Sequence, residues 1–109
     1  MNLEIKKLHQ QLIETHQSLA KRLGNTSDPD EAEDILREME ELNFRVMMAG
    51  RLLFKRTTAT IDRRIGTVIE ASTDLDEAIK HIAQVKELVK AVGKFLTLVD
   101  RALDVIKLL

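Results

Sequence analysis

Residues 75–106 read LDEAIKHIAQVKELVKAVGKFLTLVDRALDVI. Within this stretch Leu75, Ala78, Ile82, Val85, Val89, Val92, Leu96, Val99, Leu103 and Ile106 recur at alternating steps of three and four. That spacing lays them along one side of an α-helix. In heptad letters Leu75, Ile82, Val89, Leu96 and Leu103 take position a, and Ala78, Val85, Val92, Val99 and Ile106 take position d. Position g adds His81, Leu88, Phe95, Ala102 and Leu109. Three apolar positions per heptad make a face too wide for a two-stranded seam, so this helix needs at least two neighbours. Thr73 and Asp74 offer an N-cap, and Asp76 and Glu77 an acidic first turn. With no proline or capping signal beyond them, one unbroken helix of about 35 residues, roughly 50 Å long, is expected here.

The rest of the chain repeats the pattern. Ile5, Leu8, Leu12, Thr15 and Leu19 form one stripe of a helix over residues 3–23, with Gly24 at its end. After the polar link Asn25-Thr26-Ser27, the run Asp28-Pro29-Asp30-Glu31 is a start signal. Asp28 suits the N-cap, Pro29 the first helical position, and Glu31 a capping-box partner. Ala32, Ile35, Met39, Leu42, Val46, Ala49 and Leu53 then keep a heptad, after which Thr57, Ile61 and Ile65 follow at steps of four, as a stutter does. Either the second helix continues to about Ala71, or it breaks near Gly50 or in the Thr57-Thr58-Ala59-Thr60 cluster. No good capping box starts in that cluster, so continuity is the favoured reading. The expectation is an all-α, single-domain (residues 1–109) antiparallel bundle of three long helices with coiled-coil-like packing, the second helix being open to a break.

Such a bundle would be uneven. A first helix of about 20 residues cannot cover a hairpin of two longer ones, and the uncovered apolar stripe would seek a second copy. A homo-oligomer, with a dimer as first choice, is therefore expected. The alternative is a compact monomer with breaks near Gly50 and Gly93.

Composition narrows the function classes. The chain has 109 residues, is 44% hydrophobic and 32% charged, and carries a net charge of −1. That balance argues against a general polyanion binder. Cysteine is absent, which removes disulfide scaffolds, thiolate nucleophiles and Cys-based zinc sites. His9 and His16 lie about 10 Å apart along one helix, too far to share an ion, and no Glu-x-x-His or His-Glu-x-x-His accompanies them or His81. Ser18, Ser27 and Ser72 have no nucleophile elbow, and Gly93-Lys94 lacks the rest of a phosphate loop. No catalytic residue, cofactor or metal site is expected. No apolar run approaches a membrane span, and residues 1–7 lack the apolar core of a signal peptide, so a cytoplasmic protein is expected.

Charge is ordered along the second helix. Asp28, Asp30, Glu31, Glu33, Asp34, Glu38, Glu40 and Glu41 form an acidic block; Arg45, Arg51, Lys55, Arg56, Arg63 and Arg64 form a basic one. This polarity complements the helix dipole and favours antiparallel pairing of two copies, acid against base. The basic block is also the candidate anion-contacting surface, although no Tyr or Trp is present to stack on bases. Phe44, Val46, Met47, Met48, Ala49, Leu52, Leu53 and Phe54 are apolar nearly all round, which implies burial on more than one side.

The leading functional expectation is a non-catalytic interaction or assembly module that binds itself and a protein partner. Its candidate interface residues are Phe44, Met47, Met48, Phe54, Leu88, Phe95 and Leu109. Two alternatives are a membrane-associating amphipathic segment over residues 92–109 and a nucleic-acid contact through residues 45–64. Asp100 and Asp104 oppose the first, and neither membrane nor nucleic acid is a favoured partner.

Overall fold

A computed structural model describes all residues 1–109 as four α-helices of nearly equal length. They are α1 (Leu3–Gly24), α2 (Pro29–Arg51), α3 (Ala59–His81) and α4 (Val85–Lys107). The all-α class holds, and the expected count of three long helices is corrected to four.

The first two helices follow the sequence reading closely. Ile5, Leu8, Leu12, Thr15 and Leu19 are the buried residues of α1. The Asn2 side chain caps α1, accepting bonds from the Glu4 and Ile5 amides at 2.9 and 3.1 Å. Asp28 caps α2 through the Asp30 amide at 2.8 Å, with Pro29 in the first turn. Ile35, Leu42 and Ala49 are fully buried, while Ala32, Met39, Val46 and Leu53 are half-buried.

The second helix does not continue past Arg51. Residues 52–58 reverse the chain, and Thr58 caps α3 by accepting from the Ile61 amide at 3.2 Å. The turn is held from outside itself by Asn2. The Asn2 amide donates to the Leu53 carbonyl at 2.7 Å, and its side-chain NH2 donates to the Lys55 carbonyl and the Thr57 hydroxyl. The same residue therefore starts one helix and fastens the link between two others.

The third expected helix is broken as well. Thr73 and Asp74, read as its start, lie inside α3, where the Thr73 hydroxyl bonds back to the Ile69 carbonyl. The break falls at residues 82–84, and Gly93 sits in mid-helix in α4. No glycine or proline occupies the break. Arg22 of α1 instead donates to the Ile82 carbonyl at 2.6 Å, to Ala83 at 2.9 Å and to Ile79 at 3.5 Å. A cation from another helix thus takes up the carbonyls that a helix end leaves without partners.

The hairpins α1–α2 and α3–α4 pack so that α1 touches α2 and α3, and α4 touches α2 and α3. Contacts from Asn2 to Thr57, Thr15 to Ser72 and Arg22 to Ile82 show that α1 and α3 run parallel. By the same connectivity α2 and α4 are parallel neighbours, and the link 52–58 crosses a diagonal of the bundle. One continuous apolar cluster fills the centre. Its polar exception is the fully buried pair Thr15 and Ser72, whose hydroxyl oxygens lie 2.5 Å apart. Each satisfies the other, and no buried side-chain polar atom lacks a partner.

With helices of 22 or 23 residues the bundle is even. The length mismatch that argued for self-association is absent. Any reason to associate has to come from the outer surface.

Candidate interaction surface

Most of the apolar side chains of α4 are spent inside, Leu98 being exposed. Leu88 and Phe95, expected at an interface, are 1% and 4% exposed and belong to the core with Val92, Leu96, Val99, Leu103 and Ile106. The amphipathic face read as a membrane contact is this same core face. Met48 is half-buried and packs on the core. Leu109 is exposed beyond the end of α4. No helix is long and apolar enough to cross a membrane.

The stretch 44–54 divides differently from its reading as buried on several sides. Ala49 and Leu52 are buried, but Phe44 is 58% exposed, Met47 52% and Phe54 80%. The cause is phase. Ile35, Leu42 and Ala49 point into the core, and at 100° per residue Phe44 and Met47 fall about 180° away. On that outer side Glu33, Arg37, Glu40, Phe44, Met47 and Arg51 follow at steps of 4, 3, 4, 3 and 4. They form a second heptad stripe on the face turned from the bundle. Leu36, also exposed, lies at its edge. A sequence reading that follows only the most hydrophobic stripe misses this one, because charges interrupt it.

The expected basic segment is split by the fold. Arg45 is not available to an external anion. Its guanidinium makes a two-pronged contact with Asp100 of α4 at 3.0 and 2.9 Å, and a further bond to Glu41 at 2.6 Å. The Asp100 hydrogen bond in particular raises the Arg45 pKa above its ordinary value, against the opposing effect of burial. Lys55 is half-buried in the 52–58 turn. Arg51, Arg56, Arg63 and Arg64 are exposed, the last three close to the α2–α3 link. Neither Glu40 nor Arg51 forms an ion pair within the chain.

Beside Arg45, Glu38 is drawn partly under the surface. Burial, with help from Glu41 and Asp34, raises its carboxyl pKa above 4.5, while Arg37 and Arg45 oppose the shift.

A polar groove lies at the opposite end of the bundle, between the end of α1, the α1–α2 turn and the end of α3. Two of its charged groups, Asp76 and Arg22, are engaged in structure. Asp76 accepts from Gln11 and Ser18 at 3.0 and 3.2 Å, and Arg22 is the cap described above. No group of three or more His, Asp and Glu side chains is placed to hold a metal ion. No protein-family model, curated protein or solved structure matches the chain.

Proposed function

We propose that this protein is a non-catalytic helical interaction module, one that associates with itself and in that form presents a surface to a protein partner. The observation that supports it is the outer stripe of α2. The core is complete and satisfied, yet Phe44 and Met47 stand in water on a helix that shows heptad spacing on both sides. Large apolar side chains grouped on one exposed helix face are characteristic of contact surfaces. Flexible methionine at such a place accommodates more than one partner shape.

Light scattering behind a sizing column, run over a range of loading concentrations, tests the reading. The expected result is a mass that climbs from 12.4 kDa toward twice that value as concentration rises. A mass fixed at one chain throughout overturns self-association.

A second reading, adsorption to an anionic lipid surface, has one observation in its favour. Phe54 protrudes from the 52–58 turn beside Arg56, with Arg63 and Arg64 on the first turns of α3. Flotation with vesicles rich in anionic lipid at low salt tests it, and protein left at the bottom of the gradient removes it.

A further inference from the structure

We propose that two copies pair through the outer stripe of α2, antiparallel about a two-fold axis between Phe44 and Met47, so that Phe44 of each copy packs on Met47 of the other and Glu40 of each meets Arg51 of the other. This rests on the self-association reading and names its surface and register.

The pattern of the stripe carries the argument. Reading Arg37, Glu40, Phe44, Met47, Arg51 and then Phe54 beyond the helix end, reversal about the midpoint of Phe44 and Met47 maps each residue onto one that complements it. Apolar residues meet apolar residues at the axis. An acid meets a base on either side of it. Arg37 reaches the region of Phe54, where a guanidinium can lie over an exposed ring. A two-fold contact must be self-complementary in this way, since residue i meets j and j meets i. Sliding the register by three residues one way sets Arg37 of each copy against Arg51 of the other, and sliding it three the other way leaves Glu40 opposite Phe54 and Arg51 opposite Asn43, so the acid–base pairs are lost. Charge therefore selects this alignment over its neighbours. Glu40 and Arg51 have no ion-pair partners within their own chain, and both are exposed. The stripe is one helix wide, so its buried area falls at or below the low end of stable interfaces, about 1,200 Å². Weak, concentration-dependent pairing follows, with a dissociation constant on the order of 10–100 μM.

The test uses charge exchange read by sedimentation equilibrium. Glu40→Arg alone, or Arg51→Glu alone, turns two attractive pairs into two repulsive ones. Each is expected to weaken pairing by roughly tenfold or more. An equimolar mixture of the two variants restores both attractive pairs, and is expected to dimerise within about threefold of the original protein. All these positions are exposed, and circular dichroism of each variant verifies that the helices are retained. If the original protein dimerises and the single variants dimerise equally well, the α2 surface is wrong while self-association stands. If the variants weaken pairing but the mixture does not recover it, the antiparallel register is wrong. If the original protein stays one chain at every concentration, both this proposal and the reading beneath it fall.

Discussion

Replacing Arg22 with alanine removes the groups that end α3. Two of its hydrogen bonds are short, 2.6 Å to the Ile82 carbonyl and 2.9 Å to the Ala83 carbonyl, and the third, 3.5 Å to Ile79, is marginal. Hydrogen bonds from a charged donor contribute about 1.5–3 kcal/mol each when well formed. Arg22 is half-buried, so water replaces part of what is lost and the lower end applies. A cation at a helix C-terminus adds about 0.3–1 kcal/mol. The marginal bond adds little, and the total is about 3–4 kcal/mol. For a chain of this size that corresponds to a Tm lower by roughly 12–16 °C. Urea unfolding followed at 222 nm measures the difference directly. Arg22→Lys keeps the charge but not the planar fork, and is expected to recover about half of the loss. Amide exchange gives a local reading: the amides of residues 82–88 should exchange faster in Arg22→Ala than those of α2. If Arg22→Ala lies within about 0.5 kcal/mol of the original protein, or the exchange at 82–88 is unchanged, Arg22 does not terminate α3 and the account of that break is refuted.

Gly66 and Gly93 sit inside helices with open space where a Cβ would be, so Gly66→Ala and Gly93→Ala should each raise stability by about 0.5–1 kcal/mol in denaturant titrations. Thr15→Val leaves the Ser72 hydroxyl with only a 3.5 Å contact to the Gln11 carbonyl, and should cost about 1–2 kcal/mol. Adding Ser72→Ala removes the stranded group and should recover part of that, a non-additivity that a double-mutant cycle detects. Glu38 has a pH signature. Burial raises its folded-state pKa above the unfolded value, so the folded state holds the proton more tightly, and stability falls as pH rises through the interval between the two. Glu38→Gln should therefore be more stable than the original at pH 7, with the advantage fading as pH falls through the interval above 4.5 and gone below it.

How much of this was legible depended on whether the controlling contact was local. The stripe of α1 and the Asp28-Pro29 start of α2 were readable because cap and periodicity involve residues a few positions apart. The break at 82–84 was not. A three-residue turn keeps the steps of four and three from Ala78 to Ile82 to Val85, and both arms of the hairpin bury their stripes in the same core. The apolar series therefore runs through the reversal without a missed step. What stops the helix is Arg22, about sixty positions away, and periodicity carries no trace of it. The break at 52–58 was half-visible: Thr58 is a serviceable N-cap with Asp62 in the first turn, but the grip of Asn2 on that turn is again long-range. The width of the α4 face, three apolar positions per heptad, shows that two neighbours are needed but not where they come from: α2 and α3 of the same chain supply both, so Leu88 and Phe95 lie in the core and not at an outer interface.

The diagonal link between the hairpins bears on how the chain finds this state. Within each hairpin the helices that touch are joined by turns of three or four residues, and their contacts form at small loop-closure cost. The contacts that close the ring, α1 on α3 and α2 on α4, join residues more than fifty positions apart. Chain entropy therefore favours each hairpin forming ahead of their side-by-side docking. Thr15–Ser72, Arg22–Ile82, Arg45–Asp100 and Asn2–Thr57 all straddle that docking seam, so the polar contacts of this small bundle are concentrated where loop closure costs most.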